Sequence, residues 1–338
     1  MKSIRNVWSG TENFWLPMHA LRGLAATVGA LFAISCGAAD PVSYPTRPIR
    51  MVVPFASGSA TDSMARVLAQ ELSQRLGQNV VVDDRPGAFG QIAAVFVAKS
   101  KPDGYTIFVT TNTTHSANPH LYKSLPYDPV RDFEPVVRTA TLPFMLVVHP
   151  SLPVRSTAEF IAHARSHRGA LTYASASSTS LVAAESLNTQ AGMGMTGVLY
   201  KASPQAMLDV VSGEVPVMVA DFATAMPHVA SGRVRMLGVT TARRSVLVPD
   251  APPIAETVKG FDVTSWNGIF VPAGTPKAVV ARLAQETLAV LSSKEVVDKL
   301  ALIGFEVAPL GAEDFSKYLR AQLDYWGKLI RDAGIKPE

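Results

Sequence analysis

Short apolar runs alternate with segments of helical periodicity along the chain after Tyr44. In the first part of the chain, Gly77 and Pro102-Asp103-Gly104 mark turns between these segments. The pattern predicts strands at 49–54, 80–82 and 105–110, with helices at 61–76 and 92–98. Strands that alternate with helices in this way are joined by crossovers and form a parallel sheet.

The alternation restarts after His149-Pro150 and predicts a second α/β unit. Helices are expected at 157–168, 181–190, 204–212 and 225–230, and strands at 171–174, 197–200, 215–220 and 234–240. A strand near Trp266 and three more helices complete the chain. Extended segments near 142–150 and 260–268 would carry the chain between the two units. We therefore predict two α/β lobes, each a mainly parallel sheet flanked by helices, with a ligand cleft between them.

The domain boundaries follow from these crossings. We assign residues 44–142 plus 265–338 to lobe 1, residues 143–264 to lobe 2, and residues 1–39 to a leader segment. Two lobes that are joined by such crossings close through a few hinge residues at the ends of elements. We expect the hinges near 142–146 and 263–268.

Composition fits a globular protein and gives no sign of a nucleic-acid partner. Of the 338 residues, 48% are hydrophobic and 17% are charged, and the formal net charge is +4. Beyond residue 39 the chain holds 28 basic and 26 acidic residues, without a basic stripe. Nucleic-acid-binding domains carry a clustered positive surface, so we expect no nucleic-acid partner.

Residues 1–39 have the features of a secretory signal peptide. Arg22 precedes the apolar run 23–35, which is too short to cross a bilayer comfortably. Cleavage after Ala39 would make Asp40 the first residue of the mature protein. We therefore expect a periplasmic protein.

The single cysteine, Cys36, lies within this leader segment. Cleavage would remove it and leave the mature protein without a disulfide. A lipoprotein in which Cys36 is the lipidated first residue is the alternative, although Ala33 fits that signal poorly. Translation could start at Met1 or at Met18.

Each predicted lobe has a strand that ends in a small polar loop before a helix. The loops read PFASGSATD at 54–62 and YASASSTS at 173–180. Helix N-termini at the carboxyl ends of strands present unpaired N–H groups and a positive dipole to a ligand. The pair of loops therefore indicates an anion site, with Ser59 and Thr61 as candidate N-caps, whereas either loop alone would fit a well-capped helix.

The same loops argue against a nucleotide. The first loop has only Gly58 and lacks both the Lys-Ser/Thr of a phosphate loop and the three spaced glycines of a dinucleotide fold. Two cradles that face each other suit a small molecule with two carboxylates, one held by each lobe.

An ordered series of motifs extends from about Tyr44 to the C-terminus. It comprises SYPTRPIRMVVPFASGSATDSMAR, RPGAFG, KPDGYTI, THSANPHLYKSLPYDPVRDFEPV, LTYASAS, YKASPQAMLDVVSGEVPVM, GVTTARRS and FVPAGTPKAVVARL. The series resembles the extracytoplasmic solute receptors of the tripartite tricarboxylate transporter group, also called Bug receptors. The resemblance implies a periplasmic binding protein-like fold of type II, a small carboxylated ligand in the cleft, and delivery to separate membrane permease subunits.

The ligand classes expected on this basis are di- and tricarboxylates, acidic amino acids and aromatic acids. We expect no cofactor, no metal site and a monomeric protein. Carried over motif by motif, the resemblance implies a cleft lined by Phe55, Ser57, Gly58, Ser59, Ala60, Thr61, Asp62, Thr113, Thr114, His115, Asn118, Ser175, Ser178, Thr179, Ser180, Tyr200, Lys201 and Asp221. Asp62 has two interpretations, as a first-turn residue of its helix or as the partner of a ligand ammonium.

Several positions depart from the family pattern. Ser59 replaces the second glycine of the first loop, and Phe89 stands where a glycine is usual in RPGAFG. The second-lobe loop is about two residues shorter than usual, and Pro216 and Ala220 replace common acidic residues. These changes preserve the fold and bear on the choice of ligand.

Two other function classes compete with a transport receptor. A hydrolase has little support, because the chain has neither a Gly-x-Ser-x-Gly elbow nor a Ser-x-x-Lys pair. His115, Ser116 and Asp62 form an imaginable triad, but a histidine that donates to a ligand or a loop is favoured, and we expect no enzyme activity. A receptor that signals to a membrane sensor kinase remains an alternative to transport.

Overall fold

The computed structural model describes residues 44–338. The predictions on the signal peptide, the start codon and Cys36 therefore lie outside the described residues. Residues 44–338 form two β-sheets flanked by helices, which confirms the two-lobed α/β class. No helix within this range is both long enough and apolar enough to span a membrane.

The first sheet has six strands. They are β1 (Ile49–Val53), β2 (Val80–Asp84), β3 (Thr106–Thr111), β4 (Phe133–Leu142), β10 (Ser265–Pro272) and β11 (Glu306–Gly311), in the spatial order β11-β4-β10-β3-β1-β2. The second sheet has five strands. They are β5 (Phe144–Val148), β6 (Thr172–Ser175), β7 (Thr196–Leu199), β8 (Val217–Asp221) and β9 (Arg235–Val239), in the order β7-β6-β8-β5-β9.

The helices cover the faces of these sheets. They are α1 (Ala60–Leu76), α2 (Gln91–Ala98), α3 (Asn118–Leu121), α4 (Thr157–Ser166), α5 (Ser178–Ala191), α6 (Ser203–Ser212), α7 (Phe222–Ala230), α8 (Lys277–Leu291), α9 (Lys294–Leu302) and α10 (Ala312–Asp332). Short 3₁₀ turns occupy Ala88–Gly90 and Ile254–Glu256, and a π-helical turn occupies Thr113–Ala117.

The prediction that each sheet is mainly parallel needs correction, because both sheets are mixed. Strand β1 pairs in parallel with β2 and β3, whereas β10 runs antiparallel to both β3 and β4. The reason is the crossing between the lobes. Strand β4 ends at Leu142 where the chain leaves the first sheet, and β10 begins at Ser265 where it returns, so these two residues pair across opposed strands.

Periodicity missed strands β4, β5 and β11 and the π-helical turn. Strands β4 and β5 join the two sheets across Pro143, where the sequence indicated only an extended segment from 142. Strand β11 contains Pro309 and is only partly buried, so it lacks the apolar run that marks a strand. The π-helical turn follows β3 almost directly and has no apolar stripe of its own.

The core of the first lobe is aromatic. Trp266 and Phe270 of β10 are fully buried and pack against Phe315 of α10, whose ring centroid lies 5.5 Å from that of Trp266. Helix α10 thus fixes the central strand from outside the sheet. The same helix leads to Ala333, whose carbonyl accepts a hydrogen bond of 3.0 Å from Thr189 on α5 of the second lobe.

Candidate functional site

A cavity lies where the carboxyl ends of β1, β3, β6 and β8 meet. We call it the central cavity. About 40 Å³ of it can hold the centre of a water molecule. From the first sheet it is lined by Phe55, Ala56, Ser59, Ala60, Thr61, Thr111, Thr113, Leu142 and Ser265, and from the second by Phe144, Ala176, Ser177, Thr179, Lys201, Ala202, Ser203 and Asp221.

The N-terminus of α1 supplies hydrogen-bond donors to the central cavity. Ser59 is the N-cap, and its hydroxyl oxygen accepts the backbone N–H of Asp62 at 3.3 Å. The backbone N–H groups of Ala60 and Thr61 lie in the first turn of the helix, so they have no carbonyl acceptor within it. The Thr61 hydroxyl oxygen accepts a bond of 3.2 Å from the Asn267 amide, so its own hydrogen remains available to a ligand.

Asp62 lies behind this loop and does not line the central cavity. Its carboxylate accepts the Gly58 N–H at 2.8 Å, and Arg66 Nε lies 2.8 Å from its other oxygen. Gly58 has φ +82°, which a residue with a side chain rarely adopts. The carboxylate thus holds the first loop in shape and agrees with the first-turn interpretation of Asp62.

The N-terminus of α5 meets the first lobe directly. The Ser178 hydroxyl donates to Thr113 Oγ1 at 2.8 Å, and the Asn112 amide donates to Thr179 Oγ1 at 2.9 Å. Because Thr113 Oγ1 acts here as an acceptor, its hydroxyl hydrogen remains free to point into the cavity. These hydroxyl contacts join the two lobes, and the residues are buried.

The sequence predicts the helix at 204–212, but not that its N-terminus reaches the central cavity. Ala202 is the N-cap of α6 and has no side chain that could cap the helix, and Ser203 follows it at the cavity wall. The signal was present, because a Ser-Pro pair after a polar loop is typical of a helix start. Lys201 lies beside this N-terminus, is exposed, and has no ion-pair partner among residues 44–338.

Asp221 brings the only carboxylate among the described residues that line the central cavity. It is the N-cap of α7, where its two oxygens accept the backbone N–H and the hydroxyl of Thr224, each at 2.9 Å. Burial is the main cause that raises the pKa of Asp221 above its usual value. Its oxygens are therefore engaged by the protein, and it acts mainly as a cap.

His115 lies in the aromatic core and not at the central cavity. Its ring stacks on Phe270 with centroids 3.9 Å apart, and Nδ1 lies 2.8 Å from Thr114 Oγ1. Burial lowers the pKa of His115 to about 3, so the ring is neutral at physiological pH. The structure therefore gives His115 no cationic role toward an anion, and it separates His115 from Asp62 of the imagined triad.

Other predicted site residues support the loops from behind. Asn118 donates to the Phe89 carbonyl at 3.0 Å, and the Ser180 hydroxyl donates to the Val219 carbonyl. Tyr200 donates to Asp209 at 2.6 Å and faces a neighbouring space. Of the 18 predicted residues, those that line the central cavity are Phe55, Ser59, Ala60, Thr61, Thr113, Thr179, Lys201 and Asp221. Those that do not are Ser57, Gly58, Asp62, Thr114, His115, Asn118, Ser175, Ser178, Ser180 and Tyr200.

The central cavity can therefore bind an anion through neutral hydrogen-bond donors and the ammonium group of Lys201. Helix N-termini from both lobes converge on it, and Lys201 adds a full positive charge at its edge. Such N-termini bind anions through backbone N–H groups and the helix dipole. Among residues 44–338, no cluster of three His, Cys, Asp or Glu side chains has the arrangement of a metal site.

Comparison with known proteins gives the family. Residues 64–335 match the model of the tripartite tricarboxylate transporter family receptor. The chain belongs to this receptor family. A protein of Bordetella pertussis named BugT is 32% identical to the receptor over 93% of this chain and 98% of its own length. A UPF0065 protein from Bordetella bronchiseptica is 37% identical over 94% of this chain and 96% of its own length.

Two solved structures share the fold of the receptor. Rpa4515 of Rhodopseudomonas palustris, solved with adipate, has a TM-score of 0.85 and 37% identity, covering 87% of this chain and 100% of its own. MatC of the same organism, solved with bound malate, has a TM-score of 0.79 and 30% identity, covering 85% and 100%. The resemblance drawn from the motifs is thus confirmed at the level of family and fold.

Replacing Asp62 with asparagine is expected to destabilise the receptor without changing its choice of ligands. The amide can still accept the Gly58 N–H but loses the charge that pairs with Arg66. Hydrogen bonds to charged groups contribute about 1.5 to 3 kcal/mol, so urea unfolding should show a loss of roughly this size. Asp314→Asn, in the first turn of α10 and largely exposed, is the matched control. A selective loss of amino-acid binding in Asp62→Asn would instead support an ammonium partner.

The pH dependence of stability provides a second prediction, centred on Asp84. Burial first, and then the nearby negative charge of Asp62, raise the pKa of Asp84 from 3.8 to about 6, despite Arg66 at 3.1 Å. The folded state therefore binds more protons than the unfolded state between these two values. The stabilisation is present below the unfolded pKa and is lost as the pH rises through about 6.

Asp84→Asn removes this titration. From pH 4 to 7, the unfolding free energy of the wild type should therefore fall relative to that of Asp84→Asn. Urea unfolding at each pH measures the difference. Asp103→Asn, which breaks an exposed pair with Arg47, controls for the general loss of an aspartate. A difference that grows in favour of the wild type with rising pH would contradict the assignment.

Proposed function

We propose that the protein is a non-enzymatic extracytoplasmic receptor that captures a small organic carboxylate in the central cavity and delivers it to a membrane permease. The observation that carries the proposal is the convergence of helix N-termini from both lobes, with Lys201, on one cavity. Neutral donors of this kind hold a carboxylate without the desolvation cost of a buried ion pair. The adipate and malate found in the two related structures support the same ligand class.

The narrowness of the central cavity supports capture by closure. The space open to water centres is about 40 Å³, which is enough for few atoms beyond water. Hydrogen bonds between the two lobes join Ser178 to Thr113 and Asn112 to Thr179. The described arrangement is therefore close to a closed form, and ligand entry requires the lobes to separate, with Leu142 and Phe144 at one predicted hinge.

Calorimetry and thermal shift on the purified protein test ligand capture. The panel contains succinate, malate, adipate, citrate, glutamate and benzoate, each paired with the amide in which every carboxyl group is replaced. A carboxylate at a hundred times its dissociation constant should add about 2.7 kcal/mol of stability, and the amides should add little. Stabilisation by nucleotides or sugars alone would overturn the proposal.

A variant of Lys201 tests whether the carboxylate binds in the central cavity. Lys201→Gln should weaken the binding of every carboxylate in the panel, because it removes the only cation that lines the central cavity among residues 44–338. Lys101→Gln, an exposed lysine on a turn outside that cavity, is the matched control and should bind normally. Delivery is measured as uptake of the labelled ligand by cells that carry the permease, with and without the receptor.

A further inference from the structure

A second and larger space adjoins the central cavity, and we call it the outer compartment. It is lined by Phe55, Phe89, Tyr122, Leu199, Tyr200 and Lys201, together with small residues of the adjoining loops. About 210 Å³ of it can hold the centre of a water molecule, against about 40 Å³ in the central cavity. Phe55 and Lys201 line both spaces, so a ligand held in the first can extend into the second.

The wall of the outer compartment is mainly apolar, and one of its polar groups is already engaged by the protein. The Tyr200 hydroxyl donates a hydrogen bond of 2.6 Å to Asp209. Tyr200 therefore lines the space while its hydroxyl is engaged by Asp209. Lys201 is the only charged residue of the described chain that lines the compartment, and it lies at the junction with the central cavity.

Leu199 leaves apolar surface uncovered in this compartment. It is the last residue of β7, an edge strand, and is 56% exposed. An isolated exposed leucine is common on protein surfaces. Here, however, the exposed side chain lies in a concave space with two phenylalanines and two tyrosines, where an apolar ligand group would bury it.

Phe89 is held in the compartment wall by a backbone that disfavours it. Its φ is +46° and that of Ala88 is +47°, whereas residues with side chains rarely adopt positive φ. The Asn118 amide fixes this loop through a 3.0 Å bond to the Phe89 carbonyl. Strained backbone that is held by such contacts is typical of ligand sites, and its result here is a phenyl ring presented to the compartment.

We propose that the outer compartment is a subsite for a ring-sized apolar group of the ligand. The receptor then prefers carboxylates that carry an aromatic or cyclic apolar group over compact dicarboxylates. This inference rests on the proposed function, in which the carboxylate lies in the central cavity. A second carboxylate in the outer compartment would lose hydration among apolar walls, whereas an apolar ring gains from burial and from ring-to-ring contact.

Matched ligand pairs test the inference by calorimetry on the purified receptor. The pairs are acetate with phenylacetate, and propionate with 3-phenylpropionate, with succinate and adipate as dicarboxylates and phenylacetamide as the neutral control. Each phenyl group should raise the affinity by about tenfold or more, in line with the apolar area that it buries. Both phenyl acids should bind more tightly than succinate, and phenylacetamide should bind weakly.

Two variants locate the effect. Phe89→Gly and Leu199→Ser should each reduce the ratio of phenylacetate to acetate affinity by roughly fivefold. Glycine accepts the backbone conformation of residue 89, so the first variant should fold normally, and the melting temperature without ligand checks this. Leu302→Ser, an 80% exposed leucine at the end of α9, should leave the ratio unchanged.

The outcomes separate this inference from the proposed function. The subsite is overturned if succinate or adipate binds tightly while each phenyl group raises the affinity by less than about twofold. It is also overturned if the ratio of phenylacetate to acetate affinity is unchanged in both variants. In either case the proposed carboxylate receptor is still supported. If no carboxylate of either kind binds, both proposals fall.

Discussion

Replacing Thr61 with valine is expected to weaken carboxylate binding by about 1.5 to 3 kcal/mol, or roughly 10- to 150-fold. Valine keeps the shape of threonine and removes only the hydroxyl. That hydroxyl accepts the Asn267 amide at 3.2 Å and lines the central cavity, so its hydrogen is the donor available to the ligand. Charge-assisted hydrogen bonds of this kind are stronger than neutral ones. Calorimetry with the best ligand of the panel measures the loss.

Thr139→Val is the matched control for this experiment. Thr139 is also fully buried, and its hydroxyl donates to the Asn267 carbonyl at 3.1 Å, but it does not line the central cavity. Its loss should reduce stability by about 0.5 to 1.5 kcal/mol and leave the affinity unchanged. Equal affinity in Thr61→Val and the wild type would show that the first loop is not the ligand cradle.

Replacing Gly304 with alanine is expected to prevent full closure of the lobes. Gly304 lies between α9 and β11 in the first lobe, and a methyl group there would overlap the side chain of Phe222, at the start of α7 in the second lobe. Overpacking of this kind costs about 1 to 3 kcal/mol. The cost falls on the closed form, so ligand affinity should fall by roughly 5- to 150-fold. Solution scattering should also show less compaction with ligand.

Gly274→Ala separates the steric contact from backbone strain. Gly274 has φ +82° against +91° for Gly304, but an added methyl group would meet no atom within 4 Å. Both variants share the cost of positive φ, which is about 1 kcal/mol, and only Gly304→Ala should impair closure. Normal affinity and normal compaction in Gly304→Ala would mean that the lobes close without this contact.

The loops of the site were predictable because each joins a strand to a helix in a local pattern. PFASGSATD and YASASSTS each combine small polar residues with a following helical stripe, and both N-termini line the central cavity. The predicted lobe boundaries and ligand roles stay predictions. The match to the receptor family and the related solved structure confirm the class of protein and the fold.

Local sequence could not separate the residues that face the cavity from those that support it. Thr113 and His115 stand two positions apart in one motif, yet Thr113 lines the central cavity while His115 stacks on Phe270 in the core. The π-helical turn decides this division, and no periodicity marks a single turn of five residues. Asp62 likewise does not line the cavity, since its carboxylate binds the Gly58 N–H and forms an ion pair with Arg66.

The sequence by itself determined the alternation of strands and helices, because hydrophobic periodicity is a local property of each segment. It also determined the family, since the motifs occur in order along the chain. Only the tertiary structure decided that β4 and β10 run antiparallel, and that the N-terminus of α6, at Ala202 and Ser203, lines the same cavity as the two loops. These features depend on residues far apart in the chain, and their positions are set by the crossings between the lobes and by packing.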